Sequence, residues 1–148
     1  ISSNTSSVTL YHTTHTNFNT KIINISGKTK EYFMLENIGH DGYQAGLDYL
    51  LWGNDNTSGI AIWHIDDNQS NNGADVNHKL VDLEEAAEAG MDNSSHSGKQ
   101  TNLFFSGNKT EFSDSTDPNS KTYSGTSSGI TINNISASGD SMTFDITF

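Results

Sequence analysis

Six histidines (His12, His15, His40, His64, His78 and His96) and 18 acids are the side chains with the most chemistry to offer. A helical zinc-peptidase site needs two His four residues apart with a Glu beside the first, and no such pair exists. His12 and His15 are three apart in a Thr-rich stretch and read as surface residues. His64, between Trp63 and Ile65 in the most apolar segment, reads as a hydrogen-bonded structural histidine. Serines are abundant, but there is no Gly-x-Ser-x-Gly elbow. Tyr123-Ser-Gly-Thr-Ser-Ser-Gly resembles one superficially, yet it neither follows a buried strand nor precedes a helix. There is no phosphate-cradling loop, and nothing singles out a carboxylate pair for glycosidic cleavage, since that pairing is spatial.

Calcium is the better inorganic expectation. Hard cations want several carboxylate and carbonyl oxygens from a loop that can wrap them. Residues 66–77 offer Asp66, Asp67 and Asp75 with four Asn oxygens, and Glu84 and Glu85 follow. The spacing is not that of an EF-hand, and the competing reading is a solvated acidic loop. The stretch Ser113–Ser120 is a weaker second candidate and reads as a capped turn. Tyr43, Tyr49 and Trp52 could form a stacking platform for sugar rings, with Asp41, Gln44 and Asp48 as hydroxyl partners; the competing reading is a minicore under a long loop.

The elements that must position these residues repeat with period two, the spacing of one strand face. Strands are expected at Ser7–Tyr11, Lys21–Ser26, Glu31–Ile38, Gly59–Asp66, His78–Glu84, Gly129–Ile135 and Ser141–Phe148, the last two forming a hairpin through Ser138-Gly-Asp. The apolar runs of Glu31–Ile38 and Gly59–Asp66 predict burial on both faces, with the second strand central. Under strict alternation either Trp63 or His64 points inward. Leu83–Ala89 has strong helix formers and a stop at Gly90, predicting one or two helical turns; Gly46–Trp52 is a second such segment. The expected fold is a single all-β domain, an antiparallel sandwich with long loops and one or two short helical turns.

Composition narrows the function classes. With 7 Lys, no Arg and a net charge of −11 over 148 residues, no cationic surface is available to track phosphates or anionic lipid. Nucleic-acid and membrane partners are therefore not expected. No apolar run approaches the roughly 20 residues of a spanning helix. Hydrophobics make up only 32 %, so the core must be lean; the 14 aromatics and clean alternations nevertheless point to a folded domain rather than a disordered one. The absence of Cys leaves the redox compartment open, but an Arg-free, acidic surface rich in Asn, Ser and Thr reads as secreted or cell-surface. A start at Ile1 rather than Met reads as a segment of a longer polypeptide.

Three segments carry a family resemblance. Glu31-Tyr-Phe-Met-Leu-Glu-Asn, Gly59-Ile-Ala-Ile-Trp-His-Ile-Asp and Val81-Asp-Leu-Glu-Glu-Ala resemble the E-Y-F-L-L-E-N-R-Q, G-L-L-I-W-H-I-D and v-D-L-x-E-A stretches of secreted metalloproteases of the immune inhibitor A type. The closing residues from Tyr123 to Ser136 are similar to that family's last strands. Ile38 stands where the family has Arg, and extra residues separate Gly46 from Gly59. The family's zinc motif H-E-x-x-H-x-x-G-x-x-H is not in this chain. The resemblance therefore implies a non-catalytic, β-rich part downstream of a zinc site. Such a part would pack on the catalytic domain of the same polypeptide, stabilise it and help position protein substrate; family members also bind calcium. The rival class is a carbohydrate-binding or adhesion module working through Tyr43, Tyr49 and Trp52, and a third is a hydrolase with an unrecognised acid pair.

Overall fold

The computed structural model describes residues 1–39, 58–72, 75, 77–87, 91 and 98–148. Among the described residues seven strands form two antiparallel sheets: β1 (Thr5–Tyr11), β2 (Lys21–Asn24), β3 (Glu31–Ile38), β4 (Gly59–Asp66), β5 (Val81–Leu83), β6 (Thr131–Asn133) and β7 (Ser141–Thr147). The orders are β1-β7-β6 and β2-β3-β4-β5, so β4 is an inner strand as its apolar run predicts. Period-two alternation produces the sandwich. Leu10, Met142, Phe144, Ile146 and Ile132 from one sheet meet Phe33, Leu35, Ile60 and Ile62 from the other in one buried core. Phe112 ties the layers together. Its ring meets Phe33 and Phe104 edge-on at 5.2 and 5.9 Å, while its backbone exchanges two hydrogen bonds with Ile132 of β6.

Two expectations about facing are refined. In β4 every residue but Trp63 is buried, whereas β3 alternates, with Glu31, Phe33, Leu35 and Asn37 inward and their neighbours half-buried. His64 is therefore the inward residue of its pair with Trp63. The indole lies on the outer face, its Nε1 donating to Glu36 Oε1 at 2.9 Å. At the head of β4, a Cβ on Gly59 would come within 2.5 Å of Leu103 Cβ, so this position has no room for a side chain.

The helix expected over Leu83–Ala89 does not form in its described part. Leu83 ends β5, and Glu84–Ala87 are not helical. Tertiary pairing overrides local propensity here: Glu84 N–H donates to Ile62 C=O at 2.9 Å and Ala86 N–H to Asn102 C=O at 3.0 Å. Among the described residues the helical element is a 3-10 turn at Gln100–Asn102. The segment Gly46–Trp52 lies outside the described residues.

Carboxylates tie the loops. Ser7 and Asn134 are the two described non-Gly residues with positive φ, both 53°. One side chain holds both: Asp145 Oδ1 accepts Ser7 N–H at 2.7 Å and Oδ2 accepts Asn134 Nδ2 at 2.8 Å. The stretch Ser113–Ser120 is the capped turn its sequence suggests, and Asp114 joins it to the approach to β6. Its carboxylate accepts Ser128 N–H at 3.0 Å, Gly129 N–H at 3.1 Å and the Ser120 and Ser127 hydroxyls. Burial pushes the Asp114 carboxyl up, but these hydrogen bonds together outweigh it and hold the group below the usual 3.8.

A group held below its unfolded value stabilises the fold fully above that value and loses its contribution as pH falls through the depressed one. Wild-type stability is thus expected to fall as the pH drops below 3.8, the ordinary Asp value. Asp114→Ala should cost about 2 kcal/mol at neutral pH, in the range for charged hydrogen bonds, and should flatten this acid limb. Urea unfolding of both chains across the acid range checks it.

Candidate functional site

The inward parity of β3 and β4 carries charge at one end of the sandwich. Glu31 opens β3 on the same face as Phe33 and Leu35, while His64 and Asp66 follow Ile60 and Ile62 on β4. The register sets Phe33 opposite His64 and Glu31 opposite Asp66. Asp82 of β5 lies opposite His64 on the other side, which brings the following residues to the same place.

His64, 2 % exposed, is clamped between two carboxylates: Nε2 lies 3.1 Å from Glu31 Oε1 and Nδ1 lies 3.1 Å from Glu84 Oε1. Ionised carboxylates only accept, so with both ionised each ring nitrogen is a donor. Glu31 Oε1 also accepts Tyr123 N–H at 2.7 Å, and Lys28 Nζ stands 3.4 Å from Oε2. A buried carboxylate needs this many partners.

Tyr123, from the long loop before β6, completes the site. Its ring stacks on His64 at 4.1 Å and 10°, and on His78 at 4.1 Å and 26°, so an aromatic sits between two imidazoles. Phe33 closes the other side of His64 at 4.5 Å. His78 Nε2 donates to Asp66 Oδ2 at 2.7 Å, and Asp66 Oδ1 accepts Asn68 N–H and Nδ2 at 2.9 and 2.7 Å. For Asp66, burial acts upward, but the hydrogen bonds from Asn68 and His78 prevail and lower its pKa. Burial, with the Asp82 and Glu84 carboxylates close by, raises the Tyr123 phenol far above the usual tyrosine value, against a smaller opposing effect from the Lys79 backbone. The hydroxyl stays protonated at any physiological pH.

A cavity of about 420 Å³ opens beside this stack, lined by His64, Glu84, Asp117, Lys121, Thr122 and Tyr123 among others. The His64 ring packs against Tyr123 and Phe33 with both nitrogens engaged, and it forms part of the cavity wall.

The five acids expected to hold calcium take up separate partners. Asp66 binds His78 and Asn68; Asp67 hydrogen-bonds with Tyr32 and contributes to raising its phenol pKa after burial. Asp75 accepts Asn77 N–H at 2.9 Å, within its own turn. Glu84 meets His64, and Glu85 accepts Asn102 Nδ2 at 3.0 Å and Met91 N–H at 3.2 Å. Among the described residues no group of three or more His, Asp or Glu is arranged to hold a metal ion. Tyr43, Tyr49 and Trp52 lie outside the described residues. Glu31, His78 and Tyr123 were not among the expected site residues. For Glu31 a signal existed: its period-two parity with Phe33 and Leu35 places a carboxylate inward.

His64→Ala would leave the buried Glu31 carboxylate and the half-buried Glu84 carboxylate facing an empty space. Breaking such a pair costs about 3–5 kcal/mol. Trp63→Ala, on the half-buried outer face, should cost clearly less. Chemical denaturation of the two variants side by side checks the order.

Comparison with protein-family models, with curated proteins and with solved structures finds no match, so the chemistry of the site has to speak for its function.

Proposed function

We propose that this chain is a non-catalytic accessory part of an extracellular metallopeptidase, packing beside the zinc-bearing unit of the same polypeptide, stabilising it and helping to position protein substrate. One observation supports the reading above others. The three segments that resemble immune inhibitor A-type enzymes fold as the adjacent strands β3 and β4 and as β5 with the residues after it. Each gives one member to a single cluster, Glu31, His64 and Glu84. Motifs scattered along the chain thus act as one physical unit, which is what a shared ancestral module requires. The cluster braces a wall, and a rigid wall is what an accessory domain offers a neighbouring catalytic unit.

The purified chain is expected to leave casein intact with zinc present, because catalysis by the family's route needs an open zinc site with three protein ligands. The coding sequence upstream of Ile1 is expected to contain the H-E-x-x-H motif. Chelator-sensitive casein hydrolysis by the chain alone, or a glycoside hydrolase encoded upstream, overturns the reading.

Calcium belongs to the same proposal, at the loop 66–77. Thermal unfolding is expected to shift upward in calcium but not in magnesium or chelator, by about 2.7 kcal/mol when free calcium is a hundredfold above its dissociation constant. Equal midpoints in all three conditions, with no heat of calcium binding, assign these acids to their protein partners alone.

A further inference from the structure

The two outer faces of the sandwich are built from different residues. On the three-stranded sheet the register sets Thr9 opposite Thr143, Thr131 opposite Thr147 and Asn133 opposite Asp145, all at the parity that points away from the core. That face is polar, as a sheet face in water requires. On the four-stranded sheet the outward parity holds Ile22, Met34, Trp63 and Leu83 in one cross-strand row, and Asn24, Tyr32, Ile65 and Val81 in the next. All but Asn24 are apolar or aromatic. Strands that read as continuous apolar runs belong to sheets covered on both sides. The first row is only part-covered: Met34, Trp63 and Leu83 are half-buried, and Ile22 is 48 % exposed.

The backbone shows where a covering unit would be tethered. Ile1 lies against the β2 rim of this face. Its terminal nitrogen donates to Ile22 C=O and its own C=O accepts Asn24 N–H at 3.4 Å, the two bonds of a parallel bridge to Ile23. In that register the next donor along the edge is Ile22 N–H, within reach of a residue two places before Ile1. A polypeptide continuing upstream is therefore led along β2, beside the most exposed residue of the apolar row.

We propose that the outer face of the four-stranded sheet, entered at Ile22, is the surface on which the upstream unit of the same polypeptide docks. This rests on the reading above, which places such a unit before Ile1. The row from Ile22 to Leu83 forms the apolar centre of the contact. Asn24 and Glu36, the latter already holding the Trp63 indole, stand at its polar rim.

The test is hydroxyl-radical labelling read by mass spectrometry, on this chain alone and on the polypeptide extended upstream of Ile1 by its coding sequence. Met34 and Trp63 are expected to be oxidised severalfold less in the longer polypeptide. Tyr11, on the polar outer face, should be labelled equally in both. Ile22→Glu is expected to unfold like wild type in the chain alone, since the side chain is exposed there. In the longer polypeptide it should return Met34 and Trp63 labelling to the level of the isolated chain, because a carboxylate in an apolar contact is costly. Equal wild-type labelling of Met34 and Trp63 in the two polypeptides overturns the proposal, and that comparison needs no variant. Protection that survives Ile22→Glu also overturns it. So does protection that rises with the concentration of the isolated chain, which assigns the face to a second copy. Protection by an upstream unit without H-E-x-x-H keeps the docking surface and overturns the peptidase reading alone. A zinc motif upstream with unchanged labelling does the reverse, and an upstream region with no folded unit overturns both.

Discussion

Everything at one end of the sandwich follows from burying the Glu31 carboxylate. At 6 % exposure it cannot rely on water, and an isolated buried charge is among the costliest things a fold can contain. The solution draws on four parts of the chain. β4 brings His64, the turn after β2 brings Lys28, the loop before β6 brings the Tyr123 amide, and the strand register holds them in reach. His64 then needs a second acceptor, which Glu84 supplies from the residue directly after β5. A continuous polar chain thus crosses the four-stranded sheet from its β3 side to its β5 side. It also anchors a loop that belongs to the other sheet.

That requirement explains where local reading succeeds and where it stops. The strands were legible because alternation is a local property: Met142, Phe144 and Ile146 can face one core only if the segment is extended. The helix expected over Leu83–Ala89 is absent from its described part, residues 83–87, for the converse reason. Its leucine, glutamates and alanines favour helix in isolation, but Glu84 is drawn to His64, 20 residues away, and Glu85 to Asn102, 17 residues away. The site itself was half legible. His64 is hydrogen-bonded, as its setting in the sequence suggests, yet its partner Glu31 is 33 residues away, and Tyr123 meets Glu31 across 92 residues. No periodicity encodes such separations. The stretch from Tyr123 to Gly129 reads in sequence only as a failed nucleophile elbow; what it contains is a stacking ring between two imidazoles.

The acidic excess has a second meaning once the loops are in view. A net charge of −11 suggests repulsion relieved by a cation. In the fold, several carboxylates also serve as acceptors for backbone N–H groups: Asp114 for Ser128 and Gly129, Asp145 for Ser7, Asp66 for Asn68, Asp75 for Asn77. A carboxylate accepts from several donors at once and is at its strongest when charged. One such group can fix a turn that has few apolar contacts.

The same logic extends to the neutral polar residues and accounts for how so lean a core suffices. Asn, Ser and Thr make up over a third of the chain, and read singly they are turn formers. Placed by the fold, their side chains copy backbone geometry. Asn102 bonds Ala87 C=O and Lys99 N–H, Asn108 bonds the carbonyls of Thr101 and Leu103, and the Ser120 hydroxyl bonds Ile130 C=O. Each net gain is small, of order 1 kcal/mol. Each also satisfies a backbone group that would otherwise be stranded where a loop turns over the core, and leaving such a group unmet costs more than making the bond returns. A domain with few apolar residues is stable on these terms if its connections leave few buried polar groups unmet. The abundance of amides and hydroxyls is therefore a structural requirement of the long loops.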